Sequence, residues 1–138
     1  LYPNYALLYP LLAANHALAR KENEARDVLE RGLELAPDDQ LALGYGAAVL
    51  ATLGDEEGAR GLAARLDGLG EDGYLDPYYA AVAAGALGDV DRAFELLGEM
   101  CDGPSASAFN VLVDPLLDPI RDDPRFEGIL ERLDLPPG

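Results

Sequence analysis

"ATLGDEEGARGLAARLDGL" (residues 51–69) and "GALGDVDRAFELLGEM" (residues 85–100) carry the same elements at the same spacing. In both stretches, Leu-Gly-Asp is followed by an alanine four residues after the aspartate. The two Leu-Gly-Asp motifs are 34 residues apart. Alanines recur at the same interval in two series: Ala25, Ala59 and Ala93, and Ala13, Ala47 and Ala81. A fixed period of this length predicts a chain of similar supersecondary units that stack on one another.

The composition indicates that these units are helical. Hydrophobic residues make up 49% of the 138-residue chain, most of them alanine and leucine, and tryptophan is absent. This balance favours helix over sheet. Because alanine leaves room where two helices cross closely, we expect the two alanine series at such crossings. Larger side chains are expected to fill the core between units: Tyr9, Leu12, Leu29, Leu33, Leu43, Leu62, Leu66, Phe94 and Leu97.

The pattern resembles the tetratricopeptide repeat, with units near 6–39, 40–73 and 74–107. In the first unit the matching residues are Tyr9, Leu12, Ala13, His16, Ala25, Leu29, Gly32 and Pro37. In the second they are Leu43, Ala47, Leu50 and Ala59, with Glu71 in place of a closing proline. The third departs further, with Pro77 in the aromatic position and Ser105 at the close. The resemblance implies one all-α domain over 1–138: an α-solenoid of about three antiparallel helix pairs plus C-terminal capping helices.

Helix boundaries follow from local sequence. We expect helices at about 4–19, 22–35, 39–53, 55–67, 75–87 and 89–101. Asp55 and Asp89 follow a helix-ending glycine and are expected to cap the next helix, and Asp38 or Asp39 is expected to cap the third. Pro10 requires the first helix either to start near Leu8 or to be kinked.

"DPLLDPIRDDPRF", residues 114–126, contains three Asp-Pro pairs. Aspartate accepts hydrogen bonds at a helix start and proline fits the first helical position, so each pair predicts a short helix. The alternative is a metal site, because Asp114, Asp118 and Asp122 are spaced by four. Proline would break the helix that aligns them, and the spacing is not that of a calcium loop. We therefore expect a helical cap over about 108–135, with Phe126, Ile129, Leu130 and Leu133 on one face.

The segment from about 78 to 133 carries a second resemblance. "ALGDVDRAFELLGEM" followed by "VLVDPLLDPIRDDPRFEGILERL" looks like the C-terminal end of many bacterial tetratricopeptide regions. Those regions lie behind a kinase, cyclase or transcription-factor domain in multidomain regulators. The resemblance implies a regulatory or dimerising role as an alternative to a free-standing module, and the chain's start at Leu rather than Met suggests a fragment or a processed form.

The charge excludes several classes of partner. With 26 acidic and 10 basic residues, the chain has a formal net charge of −16. Such a surface repels phosphate backbones and anionic lipid, so no nucleic-acid or membrane partner is expected. No apolar run approaches the ~20 residues of a membrane span, and no signal peptide is visible. A cytoplasmic location is the default expectation.

Three further features are tempting as sites, but each has a simpler interpretation. "GLGEDG", residues 68–73, matches a dinucleotide-binding pattern, yet no strand precedes it, so we expect an inter-repeat turn. His16 is expected to pack in the core between helices. Cys101 lies beside Glu99 and Asp102, which would raise the pKa of its thiol and disfavour a nucleophilic role. No catalytic residue, metal site or cofactor is therefore expected.

In tetratricopeptide proteins the first helix of each unit lines a concave groove. The predicted first helices contain no Lys or Arg, which disfavours capture of an acidic peptide terminus. The expected lining is small, apolar or aromatic: Leu7, Ala14, Leu41, Tyr45, Ala48, Tyr78, Tyr79 and Val82. Such a groove would suit an extended or helical protein segment with apolar anchors. The alternative is that Tyr74, Tyr78 and Tyr79 only pack between units.

Three functions follow from these observations. The first is a non-enzymatic module that binds a protein or peptide segment in the groove. The second is a regulatory segment that contacts another domain of its own chain or self-associates. The third, hydrolytic or metal-dependent catalysis, has little support, since no triad, paired-carboxylate or phosphate-loop pattern is present.

Overall fold

The computed structural model describes residues 8–103 and 107–135, apart from the side chain of Asp72, and this part of the chain is helical without any strand. The six longer helices are α1 (Leu8–Leu18), α2 (Glu22–Leu35), α3 (Gln40–Thr52), α4 (Glu56–Asp72), α5 (Pro77–Ala86) and α6 (Val90–Asp102). Shorter elements follow: α7 (Asn110–Val113), a 3-10 turn (Pro115–Leu117), α8 (Asp118–Arg121) and α9 (Arg125–Arg132). The prediction of an all-α fold is confirmed.

The first six helices form three hairpins. Helices α1 and α2, α3 and α4, and α5 and α6 pack pairwise across short loops. The first helices of the pairs also pack side by side, α1 on α3 and α3 on α5, and we call these three helices the first-helix layer. The second helices lie behind this layer, where α2 also contacts α3 and α4 also contacts α5.

The turn inside each hairpin has the same backbone geometry at a 34-residue interval. Arg20, Gly54 and Gly88 adopt left-handed φ angles of 60°, 87° and 83°. One residue later, the backbone N–H donates to the carbonyl five residues earlier: Lys21 to His16 (2.8 Å), Asp55 to Leu50 (2.8 Å) and Asp89 to Ala84 (2.9 Å). This is a Schellman helix end, and glycine suits it because it lacks a Cβ atom.

The helix starts also agree with the expected caps. The carboxylates of Asp55 and Asp89 accept from the N–H groups of Gly58 and Arg92. Asp39, one of the two candidates named for the third helix, accepts from Ala42. In the first hairpin, Lys21 occupies the position of Asp55 and provides no side-chain cap.

Small residues lie at the helix crossings, as the period predicted. The alanines of both series are fully buried, at 0% exposure: Ala13, Ala25, Ala47, Ala59, Ala81 and Ala93. The closest crossings, however, use glycine. A Cβ atom on Gly44 would lie 2.6 Å from the carbonyl oxygen of Tyr79, and one on Gly32 would lie 2.8 Å from Cβ of Tyr9. These two glycines therefore set the spacing of α3 against α5 and of α2 against α1.

The predicted core residues are largely inside. Tyr9, Leu29, Leu43, Leu62, Leu66, Phe94 and Leu97 are buried, while Leu12 and Leu33 are half-buried. Pro10 is also buried and lies within α1. The part of the first predicted helix before Leu8 lies outside the described residues.

The prediction of a turn over residues 68–73 was wrong. Helix α4 continues to Asp72 and takes in both Gly68 and Gly70. A glycine inside a helix costs only ~1 kcal/mol relative to alanine. Leu69, in this last part of α4, is partly buried against the core, which favours continuation of the helix.

Residues 107–135, which we call the tail, fold back on the hairpins. The 3-10 turn and α8 contact α5, and α9 contacts α6. The tail buries Val111, Leu116, Leu117, Ile120, Phe126, Ile129 and Leu130, with Leu133 partly buried. The apolar face predicted for the last helix is therefore correct, and the tail belongs to the core.

Candidate functional site

The residues predicted to line an open groove are covered. Leu7 lies outside the described residues. Of the others, Ala14, Tyr45, Ala48, Tyr78 and Val82 are buried, and Leu41 and Tyr79 are half-buried. The tail contacts Tyr45, Tyr78 and Tyr79, and most of the other side chains are buried in the fold, so the expectation of an open apolar trough is corrected. Binding of a partner at these residues stays a prediction, and it would require part of this covering to move.

The three tyrosines of this set do lie together. The ring of Tyr79 meets those of Tyr45 and Tyr78 edge to face, with centroids 6.0 Å and 5.8 Å apart. Such edge contacts favour a fixed relative position of aromatic rings. The alternative prediction was that Tyr74, Tyr78 and Tyr79 only pack between units. Tyr78 and Tyr79 do pack inside the fold, whereas Tyr74 is 64% exposed.

Asp114 of the tail is inserted against this tyrosine group. The Tyr45 hydroxyl donates to Oδ2 of Asp114 at 2.8 Å, and the Tyr78 hydroxyl donates to the same oxygen. The second carboxylate oxygen accepts from the N–H of Leu116 at 2.9 Å. Asp114 is only 8% exposed, so these bonds replace the water it loses on burial.

Burial fixes the protonation of the two phenols. It raises the pKa of Tyr45 above its ordinary value, and the nearby Asp114 carboxylate raises it further. Burial also raises the pKa of Tyr78, with smaller contributions from Tyr45 and Asp114. Both hydroxyls therefore remain neutral donors near neutral pH. The cluster anchors the tail and offers no accessible base or nucleophile.

A second polar contact holds the start of the tail. The Ser107 hydroxyl donates to the carboxylate of Asp76 at 3.2 Å and lies 3.4 Å from the hydroxyl of Tyr79. Asp76 also caps α5 by accepting from the N–H of Tyr78. The tail is thus fixed to the first-helix layer at two points.

The Asp-Pro aspartates are engaged in helix starts and ion pairs. Asp114 caps the 3-10 turn, and Asp123 accepts from the backbone N–H of Arg125 at 2.9 Å. The side chain of Arg125 also bonds Asp123 and lowers the pKa of that carboxyl. Asp118 does not cap a helix and instead pairs with Arg121 at 2.8 Å. Within the described ranges, no group of three or more His, Cys, Asp or Glu side chains is placed to hold a metal ion.

His16 and Cys101, the two single residues considered as sites, are both half-buried. His16 lies near the end of α1, where its carbonyl accepts the Lys21 bond. Burial is the main cause that raises the pKa of the Cys101 thiol, with a smaller contribution from Asp102 and an opposing one from Arg132. The sequence correctly predicted that the pKa of Cys101 is raised, but burial rather than the neighbouring acidic side chains is the main cause.

The tail also presents an exposed apolar surface that the sequence interpretation did not single out. Phe109 and Val113 are each 76% exposed. Both have helical backbone and lie four residues apart, which places them on one side of α7. Their i, i+4 spacing in "FNVLV" was the available clue, but the neighbouring Val111 is fully buried and nothing local distinguishes it.

A groove of about 510 Å³ adjoins Val113. Its apolar lining is exposed at Val113 and Pro115, half-buried at Leu112 and largely buried at Phe126 and Leu130. Its polar members are Asp118, Arg121, Asp122 and Glu127. We call this groove, together with Phe109, the tail face.

Comparisons with known proteins do not assign the chain to a family. Protein-family models, curated proteins and solved structures were each compared with the chain, and none matches. The tetratricopeptide resemblance therefore stays a prediction. Among the described residues, no helix has both the length and the apolar character required to cross a bilayer.

Proposed function

We propose that this chain is a non-enzymatic protein-interaction module of the tetratricopeptide type, an α-solenoid of about three units closed by its tail. The recurring turn at Arg20, Gly54 and Gly88 supports the repeat. The observation that carries the interaction role is the exposure of Phe109 and Val113, large apolar side chains that a folded domain usually covers.

The tail changes where a partner would bind. Asp114 and Ser107 occupy the first-helix layer on the side predicted for a ligand. A partner then meets the outer side of the tail, where Phe109, Val113 and the adjoining groove lie. The groove has the volume of a typical binding cleft, and its lining is mixed, with five apolar and four charged residues.

Site-specific photo-crosslinking tests this proposal. A benzoylphenylalanine residue replaces Phe109 in one sample and the exposed Glu30 on α2 in a control sample. We expect a distinct protein adduct from position 109 in extract of the source cells, and none of the same mass from position 30. Identical adducts at both positions, or none at either, would argue against an interaction role for the tail face.

A second candidate is a regulatory or dimerising segment of a larger bacterial kinase, cyclase or transcription regulator. It is favoured by α1, where Leu8, Leu11 and Leu18 are 45%, 41% and 44% exposed. One period later, Ala42 and Tyr45, the counterparts of Leu8 and Leu11, are buried at 0% and 5%, whereas Thr52, the counterpart of Leu18, is exposed. At Leu8 and Leu11 the outer side of α1 thus resembles an interior position without its neighbour, and another helix or a second copy would cover it.

Sedimentation of the isolated chain separates the two candidates. If α1 mediates dimerisation, the wild-type chain forms a dimer that Leu11→Asp converts to a monomer. If the tail face is the interaction surface, the same substitution leaves the position-109 adduct unchanged. A monomeric wild type at all concentrations would leave self-association without support.

A further inference from the structure

We infer that the tail face recognises a cationic amphipathic segment, one that carries apolar anchors flanked by Lys or Arg. The inference rests on the proposed interaction role and specifies the chemistry of the partner. It starts from the apolar residues. Phe109 and Val113 extend from one side of α7, and Val113 forms part of the groove wall with Leu112 and Phe126.

The acidic side chains of the groove define the expected charge of the partner. Asp118, Asp122 and Glu127 are exposed along it. These carboxylates belong to a protein with a formal net charge of −16. Its surface therefore attracts cationic segments and repels acidic ones at long range.

Arg121 does not reverse this preference. Its guanidinium donates to the carboxylate of Asp118 (2.8 Å) and to the carbonyls of Val111 (3.0 Å) and Asp114 (2.7 Å). It also lies over the ring of Phe126, 5.1 Å from the centroid. Arg121 is therefore committed to holding the tail together, and Asp122 and Glu127 remain available to a cationic partner.

The arrangement matches the recognition of an amphipathic helix by an apolar groove with a charged rim. Apolar anchors at helical spacing would contact Phe109, Val113 and the apolar lining of the groove. Basic residues beside them would meet Asp122 and Glu127. Charge selects against the acidic helices that this chain itself presents, so a second copy of the chain is a poor occupant.

The test uses three synthetic amphipathic peptides with the same helical pattern: one of Leu, Ala and Lys, one with Glu for Lys, and one with Ser for Leu. Each is titrated into the isotope-labelled chain while backbone amide shifts are followed. We expect only the Leu–Lys peptide to bind with shifts concentrated in residues 109–130. Equal binding of the Glu peptide, or of the Ser peptide, overturns the inference, as does a failure of the Leu–Lys peptide to bind.

Variants separate a site from general attraction to an acidic protein. Phe109→Ser with Val113→Ser should weaken Leu–Lys binding by about tenfold or more, because two exposed anchors are lost while the fold is not expected to change. Asp122→Asn with Glu127→Gln should weaken it severalfold. The matched pair Glu24→Gln with Glu30→Gln on α2 removes the same charge and should have a much smaller effect. Equal loss in both acidic pairs would show non-specific attraction and overturn the inference.

The experiments distinguish an incorrect charge preference from an incorrect interaction role. A position-109 adduct with a partner that lacks basic residues would overturn the charge assignment and keep the interaction role. Absence of any adduct would count against the interaction role even if the Leu–Lys peptide binds.

Discussion

The hydroxyl of Tyr45 on α3 donates a 2.8 Å hydrogen bond to the carboxylate of Asp114, 69 residues further along the chain. Tyr78, on the neighbouring α5, donates to the same oxygen. Two helices of the first-helix layer and the tail are thus joined at a single buried acceptor. This contact explains why the layer cannot be treated as an open binding surface.

Replacing that acceptor should destabilise the fold. In Asp114→Asn, an amide nitrogen turned toward Leu116 meets the backbone N–H, while one turned toward the tyrosines removes the acceptor that both hydroxyls share. Either orientation also removes the negative charge that strengthens these bonds. We expect a loss of about 1–3 kcal/mol in the free energy of unfolding, measured by urea denaturation. The control is Asp122→Asn on the exposed side of the same segment, which should change stability by less than about 0.5 kcal/mol. Equal effects would mean that the buried bonds contribute little.

The same cluster predicts a dependence on alkaline pH. Because burial raises the pKa of Tyr45 and of Tyr78, the folded state keeps both phenolic protons after the unfolded chain has lost its own. Their stabilising contribution is complete below the unfolded pKa of ~10 and declines as the pH rises above it. Urea denaturation between about pH 8 and 11 should show the free energy of unfolding falling with pH. The slope should approach the value for a difference of one bound proton per phenol between the folded and unfolded states. The Tyr45→Phe and Tyr78→Phe double variant should be less stable at neutral pH but show a shallower decline, and an unchanged slope would contradict the assignment.

Gly44 and Gly61 give a paired test of helix spacing. A methyl group at Gly44 would meet the backbone of Tyr79 at 2.6 Å, whereas nothing lies within 4 Å of a Cβ atom at Gly61. We expect Gly44→Ala to destabilise the protein by about 1–3 kcal/mol and Gly61→Ala to stabilise it by about 0.5–1 kcal/mol. Thermal unfolding followed by circular dichroism measures both. Stabilisation by both substitutions would show that α3 and α5 have room to separate.

Arg20 offers a substitution that should raise stability. It holds the left-handed position that glycine holds at Gly54 and Gly88. We expect Arg20→Gly to raise the free energy of unfolding by about 0.5–1 kcal/mol, because relief of the strained backbone exceeds the added entropy of the unfolded chain. Gly54→Ala should have the opposite sign in the same denaturation assay. A loss of stability in Arg20→Gly would indicate that the side chain of Arg20 contributes more than its backbone costs.

The tail should behave as core rather than as an appendage. Leu117 is 1% exposed and Val113 is 76% exposed, only four residues away. Leu117→Ala should cost about 2–5 kcal/mol, while Val113→Ala should change stability by less than about 0.5 kcal/mol. Unfolding followed by both circular dichroism and tyrosine fluorescence should remain a single transition in each variant. A separate early transition in Leu117→Ala would mean that the tail unfolds independently.

Local and periodic features were predictable from the sequence. The Leu-Gly-Asp pairs located two hairpin turns, and Asp55 and Asp89 cap helices because capping needs only neighbouring atoms. The apolar face of α9 follows from its spacing for the same reason. The turn proposed over 68–73 failed because glycine is a weak local preference that packing of Leu69 overrides.

The contacts of the candidate site were not predictable in the same way. Nothing near Tyr45 indicates that its partner is Asp114, since the tail lies outside the repeat and no period links the two. The sequence placed Tyr45, Tyr78 and Tyr79 on one face, but it could not show that the chain covers that face itself. The exposure of Phe109 and Val113 depends on the same long-range folding.

The anchoring of Asp114 also makes the two ends of the first-helix layer unequal. A further 34-residue hairpin inserted after α6 would carry Asp114 away from Tyr45 and Tyr78, and the tail would lose this anchor unless the new hairpin supplied hydroxyl donors in their place. A hairpin added ahead of α1 would meet Leu8 and Leu11 and leave that contact intact. Lengthening in evolution or by protein engineering is therefore compatible with the Asp114 contact ahead of α1, whereas after α6 it breaks that contact.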